Sequence, residues 1–194
     1  MKKQKIKQRP SLDQLEQELK REKYRRSYNS LLRSTIFTLV TVAAVAILIA
    51  MLFMPVLQIY GTSMTPCLVD GDIVVTLKSN DCKTGDVLAF YYNNKILVKR
   101  VIGMPGDWID IDADGNVSVN GVMLDEPYVS EKSYGYCNIE LPYQVPDGRI
   151  FVLGDHRLTS TDSRSTAVGC VSEEQIVGHV VFKVWPFESI GPIT

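Results

Sequence analysis

The sequence predicts an all-β domain of about 140 residues preceded by one transmembrane α-helix. Residues 36–54 are nineteen consecutive uncharged positions, and beyond them seven β-rich runs alternate with turn signals while no long helical period appears. A chain of 194 residues that is 45% hydrophobic suits one ordinary domain plus a short extra element. Charge is segregated between the two parts. Residues 1–33 hold eleven Lys/Arg against four Asp/Glu, net +7, whereas the remainder holds ten against eighteen, net −8.

The apolar run "IFTLVTVAAVAILIAMLFM" would span roughly 28 Å as a helix, close to the hydrocarbon thickness of a bilayer. No polar face interrupts it, which argues against a buried core helix. A cleaved secretory peptide would have its basic flank nearer the start, whereas 35 residues precede this run. The reading is an uncleaved anchor. Lys20, Arg21, Lys23, Arg25, Arg26 and Arg33 flank the run on its amino side, and the first basic residue on the other side is Lys78. The positive-inside rule therefore places residues 1–35 in the cytoplasm, 36–54 in the membrane and 55–194 outside. Within the basic segment, Leu12, Leu15 and Leu19 recur at helical spacing behind Ser11, which predicts a short surface helix. Its basic residues suit contact with anionic lipid.

The outer strands are expected at 72–78, 86–92, 96–103, 107–112, 116–121, 149–155 and 176–185. Asn93-Asn94 fits a two-residue hairpin loop, and Gly115 marks another turn. Glu126 to Gly148, with three prolines, reads as an irregular excursion over the surface. Cys67, Cys82, Cys137 and Cys170 would lie in an oxidising compartment, where three pairings are possible and no one bridge is singled out. None has the close spacing of a metal pair, and with only His156 and His179 available no zinc site is expected.

Three polar blocks stand out. Ser63 lies between Gly61-Thr62 and Met64-Thr65-Pro66, where the backbone can turn sharply and expose a hydroxyl. By itself this also describes an ordinary loop serine, because a hydroxyl needs a base to become a nucleophile. Lys99, in "ILVKRVIGMPGD", shares a strand face with Leu97 and Val101 by alternation, with Arg100 on the opposite, solvent side. An ordinary lysine is neutral about 0.04% of the time at pH 7, but burial can lower its pKa by roughly 3 to 5 units and supply that base. A lysine at a strand edge fits the same pattern. Finally, "GDHRLTSTDSR", residues 154–164, gathers two serines, two arginines and two aspartates after the apolar "IFVL", a density that requires mutual hydrogen bonding near a core and none in a surface turn.

Taken in order after one anchor, "SMTPCL", "DIVV", "KRVIGMPGD" and "GDHRLTSTDSR" resemble the bacterial type I signal peptidases, with a match over residues 58–187 that includes "IVGHVVFKVWP". The resemblance implies a membrane-bound serine endopeptidase on an all-β fold. It would cleave signal peptides from exported preproteins with a Ser/Lys dyad, without metal or cofactor. By position, Ser63 matches the nucleophile and Lys99 the general base. Ser160 matches the serine that orients the lysine amine, Asp162 and Arg164 a structural ion pair, and Met64 a residue shaping the first substrate subsite. Some members carry a serine two places before the nucleophile as an oxyanion donor; Gly61 stands there, which leaves only the Ser63 N–H assigned. His156 replaces a frequent asparagine and Cys67 a usual threonine. His156 beside Asp155 is the rival base, in a Ser/His arrangement.

Two alternatives belong to other classes. A Ser/Lys self-cleaving repressor would need a DNA-binding domain, for which residues 1–33 are too short, so no nucleic-acid partner is expected. A non-catalytic membrane-anchored β module would need neither Ser63 nor Lys99. The expected partners are signal-peptide-bearing preproteins and membrane lipid; the oligomeric state is not legible. Ser63 lies nine positions after Met54, which keeps the nucleophile within about 30 Å of the bilayer. "MPVLQIY" and Trp108 are read as an apolar surface for lipid.

Overall fold

A computed structural model describes residues 11–79 and 81–193. The first ten residues, which carry part of the expected basic segment, lie outside the described ones. The chain divides into two units, Met1–Ile49 and Ala50–Thr194.

Helix α1 runs from Leu12 to Phe53, 42 residues without a break. The expected surface helix and the apolar run are therefore one element. No glycine or proline occurs between Ser11 and Met54, so the change from basic to apolar composition contains no signal that would stop a helix. Ser11 and Gln14 cap its start reciprocally, the Gln14 N–H donating to Ser11 Oγ and the Ser11 N–H to Gln14 Oε1. Thr35, Thr38 and Thr41 return their hydroxyls to the carbonyls four residues back, which satisfies them inside an otherwise apolar stretch. Among the described residues α1 is the one helix long and apolar enough to cross a membrane.

The second unit is built from strands β1 (Val56–Gln58), β2 (Ile73–Leu77), β3 (Val87–Tyr92), β4 (Lys95–Gly103), β5 (Trp108–Ile111), β6 (Val117–Val119), β7 (Val122–Met123), β8 (Tyr143–Gln144), β9 (Arg149–Leu153), β10 (Val171–Ser172), β11 (Ile176–Trp185) and β12 (Gly191–Pro192). All seven expected strands are present, and five short ones join them. The larger sheet has the order β1-β2-β11-β3-β4-β9-β10, with β12 also paired to β11; the smaller has the order β7-β6-β5-β8. Asn93 and Asn94, at φ 43° and 63°, close the β3–β4 hairpin as expected of a two-residue loop.

One core cluster joins the two sheets, bringing Ile102, Phe151 and Leu153 against Ile109, Ile111 and Val117. Gly103 is required there: a Cβ would stand 2.5 Å from the Ile109 side chain. The segment from Glu126 to Gly148 is irregular, as expected, apart from β8. It is not confined to the surface, since Glu126 and Val145 are buried. That difference matters for β4, which is buried on both faces from Lys99 onward.

Candidate active site

Ser63 sits in a closed loop between β1 and β2. The Ile59 N–H donates to the Asp72 carbonyl at 2.8 Å, and the Gly71 N–H donates back to Ile59 O at 2.9 Å. Inside this closure the Gly61 N–H, at φ +89°, donates to Asp70 Oδ1 at 2.6 Å. Thr65 turns back onto the Thr62 carbonyl through both its N–H and its hydroxyl. Met64 points inward and packs with Ile59, Leu68 and Val74. One neighbour of the serine is thus anchored in the core while the serine itself stays half-buried.

Lys99 reaches this loop from the middle of β4. Its amine donates to Ser63 Oγ at 2.6 Å and to its neighbour's carbonyl, Val98 O, at 3.1 Å. The side chain is 2% exposed. Burial lowers its pKa to about 8; Asp162 and Asp155 oppose that shift from a distance and Arg164 adds to it. Among the described residues no carboxylate lies within ion-pair reach of the amine. Ser63 and Lys99 open on a cleft of about 730 Å³ walled by Leu57–Gly61 on one side and Asn94–Lys99 on the other. Leu57 to Tyr60 therefore line the cleft, and of the expected lipid surface Val56, Tyr60 and Trp108 are exposed.

The 154–164 block lies behind the dyad. Gly154 is in close quarters: a Cβ there would overlap Ser160 Oγ and stand 2.5 Å from the Ser63 carbonyl. The His156 N–H donates to that carbonyl at 3.1 Å. Ser160 is buried beside the site, but its hydroxyl has no hydrogen-bond partner among the described residues, so the structure does not join it to Lys99. Asp162 and Arg164 form a two-pronged pair at 2.9 Å; Asp162 also accepts from the Gly154 N–H, and Arg164 donates to the carbonyls of Tyr134 and Arg157. The rival base is differently engaged. His156 Nδ1 shares a 2.9 Å hydrogen bond with Thr159, and the Asp155 carboxylate is taken up by Arg100.

That last contact corrects the expectation that Arg100 faces solvent. It is 1% exposed, gripped at 2.9 and 2.8 Å by Asp155, bonded to the Gly85 carbonyl, and stacked 3.9 Å over the Tyr128 ring. Strand alternation places Arg100 opposite Lys99, but Tyr128 covers that side from the long excursion, which no local pattern reveals. Arg157, paired with buried Glu126, was likewise not singled out. A buried pair of this kind has a signal only in the polar density of the 154–164 block. The four cysteines are all free thiols.

The chain matches the family described as signal peptidase, peptidase S26, over residues 32–185. It is 40% identical over 149 residues to signal peptidase IB of Staphylococcus aureus (strain COL), covering 66% of this chain and 76% of that protein. It is 34% identical over 182 residues to signal peptidase I of Bacillus licheniformis, covering 87% and 96%. A crystal structure of a signal peptidase I from Enterococcus faecalis V583 aligns with a TM-score of 0.44 at 29% identity, over 52% of this chain and 97% of that one.

Proposed function

The chain belongs to the signal peptidase family, a family of serine endopeptidases that cleave signal peptides from preproteins, and on that premise we propose that Ser63 and Lys99 are its nucleophile and general base. The observation that carries this reading is the 2.6 Å contact between Ser63 Oγ and a buried amine of lowered pKa. A neutral Lys99 takes the hydroxyl proton as Ser63 attacks the scissile carbonyl and returns it to the leaving amine as the C–N bond breaks, giving an acyl-enzyme; Lys99, neutral again, takes a proton from the attacking water and passes it to Ser63 Oγ as the ester bond breaks. The Ser63 N–H supports the oxyanion. Gly61 N–H is committed to Asp70 and is not a second donor. Met64 shapes the first subsite, Asp162 and Arg164 brace the wall behind Lys99, and the Ser160 hydroxyl, which has no partner among the described residues, is proposed to align the amine during turnover.

The test is preprotein cleavage by the full chain in detergent micelles. Ser63→Ala and Lys99→Ala each lose turnover while the fold is retained; near-normal cleavage by either sinks the assignment. For topology, the basic flank and apolar α1 support a membrane-anchored protein with its amino end in the cytoplasm and residues 55–194 outside. Protease added outside intact cells then digests only residues beyond about 55. Outside labelling of a cysteine introduced near position 20 reverses the orientation.

A further inference from the structure

We infer that Lys183 and Asp72 form a clamp that positions the nucleophile, an inference that rests on the Ser63–Lys99 reading. Lys183 lies on β11, opposite Val74 of β2, and its side chain is almost completely buried. A buried ammonium requires a counter-charge and acceptors for its hydrogens. It has both at one place: Asp72 Oδ2 at 2.6 Å and the Cys67 carbonyl at 3.2 Å. Cys67 belongs to the loop that carries Ser63, one residue before Leu68, whose N–H holds the Met64 carbonyl at 2.9 Å. Asp72 in turn accepts from the Val69 N–H at 2.9 Å, and its own carbonyl receives the Ile59 N–H that closes the loop.

The clamp therefore joins three points of one loop to a strand in the middle of the larger sheet. Lys183 grips it at 67, Asp72 grips it at 69 and closes it at 59, and Met64 beside the serine is held between these grips by the core. On the opposite side the His156 N–H holds the Ser63 carbonyl and the Lys99 amine meets its hydroxyl. Lys99 comes from a different strand, β4, so displacement of the loop moves the nucleophile relative to the base. A shift of about 1 Å in a reacting group can lower a rate by about 100-fold. Lys183 touches neither Ser63 Oγ nor Lys99. It is a positioning residue.

The experiment measures kcat, KM and the pH dependence of preprotein cleavage for the full chain in detergent micelles, with Lys183→Met, Asp72→Asn and the double variant, each assayed well below its own Tm. Lys183→Met is expected to lower kcat about 10- to 100-fold with KM within about threefold of wild type. The pH at which the rate rises should stay where it is in wild type. The double variant should lose no more than Lys183→Met, because the two residues act as one unit. If Lys183→Met fails to fold, Asp72→Asn, which keeps the volume and leaves the amine on the Cys67 carbonyl, is read alone for a loss of about 3- to 10-fold in kcat. A kcat within twofold of wild type with only a lowered Tm makes the pair a stabiliser and overturns the clamp. A displaced pH midpoint also overturns it, because Lys183 would then act on the charge of Lys99. Full activity of Ser63→Ala instead removes the dyad reading beneath it, an outcome the same assay distinguishes.

Discussion

Lys99 and Arg100 are consecutive residues of one strand, both almost entirely buried, yet the two faces of β4 treat positive charge in opposite ways. Arg100 meets Asp155 across two hydrogen bonds, a backbone carbonyl and an aromatic face; Asp155 raises its pKa further despite burial. Lys99 meets a serine hydroxyl and a backbone carbonyl, and its pKa falls to about 8. Arg157 and Arg164 follow the Arg100 pattern, each with its own carboxylate. Among the described residues a counter-charge is supplied to these three arginines and none to Lys99, the proposed base. A guanidinium suits such pairing because it stays charged and forks onto a carboxylate; an amine suits a base because its pKa moves.

The sharpest way to break this contrast is to exchange the chemistry at position 99. Lys99→Arg is expected to lower cleavage by about 10⁴-fold or more, since a guanidinium cannot act as a base at working pH. Measurable turnover near the wild-type rate would show that the proton goes elsewhere. The wild-type rate itself should rise with pH and level off above about 8, where the amine is neutral. A profile with no rise below pH 9 contradicts the lowered pKa.

Next in size is the opposite face. Asp155→Asn leaves the Arg100 charge buried without its partner and should destabilise the second unit by about 3–5 kcal/mol, seen as a Tm fall of about 6–20 °C. Loss of kcat at unchanged Tm would instead make Arg100 part of the catalytic machinery, and the two faces would no longer differ in kind.

A smaller effect of opposite sign is expected from Lys99→Met. In wild type the folded chain holds Lys99 at about 8 against 10.5 for an ordinary lysine. Between those values the unfolded chain binds more protons, so this residue's contribution to stability improves as pH rises through the window and is worst below it. Removing the amine should stabilise the protein at pH 7 by about 1–3 kcal/mol, with the gain shrinking toward pH 10. Thermal unfolding at both pH values checks this, and a destabilised variant at pH 7 contradicts a strained lysine. Smallest is Ser160→Ala: on the proposal that its hydroxyl aligns the amine during turnover, kcat is expected to fall about tenfold with KM similar. An unchanged kcat would leave the Ser160 hydroxyl as packing alone.

Much of this was readable in the order of residues. The strands at 73–77, 87–92 and 176–185 combine β-branched runs with turn signals at each end, and their bounds were expected within one residue. Val122–Met123, Tyr143–Gln144 and Gly191–Pro192 are too short to show any alternation, and exist because longer strands offer them an edge. Ser63 and Lys99 were legible through motifs, but the distance between them was not, since β4 and the β1–β2 loop are brought together only by the sheet. Alternation correctly separated Lys99 from Arg100 and then misjudged which sides were wet. That answer lay with Tyr128, 28 residues further on. Lys183 carried no signal at all beyond being a charge in an apolar strand.

If Lys99 is the general base proposed above, the lack of a carboxylate beside it among the described residues ties activity to the acidity around the protein. With a pKa of about 8, roughly one molecule in ten holds a ready amine at pH 7. With the proposed orientation, throughput of export would then follow the acidity of the medium as well as copy number. Each unit of acidification below that point would leave about one-tenth of the previous fraction of amines neutral, with the fold unchanged. A culture that acidifies its surroundings would accumulate uncut precursors even though every copy of the enzyme remained intact.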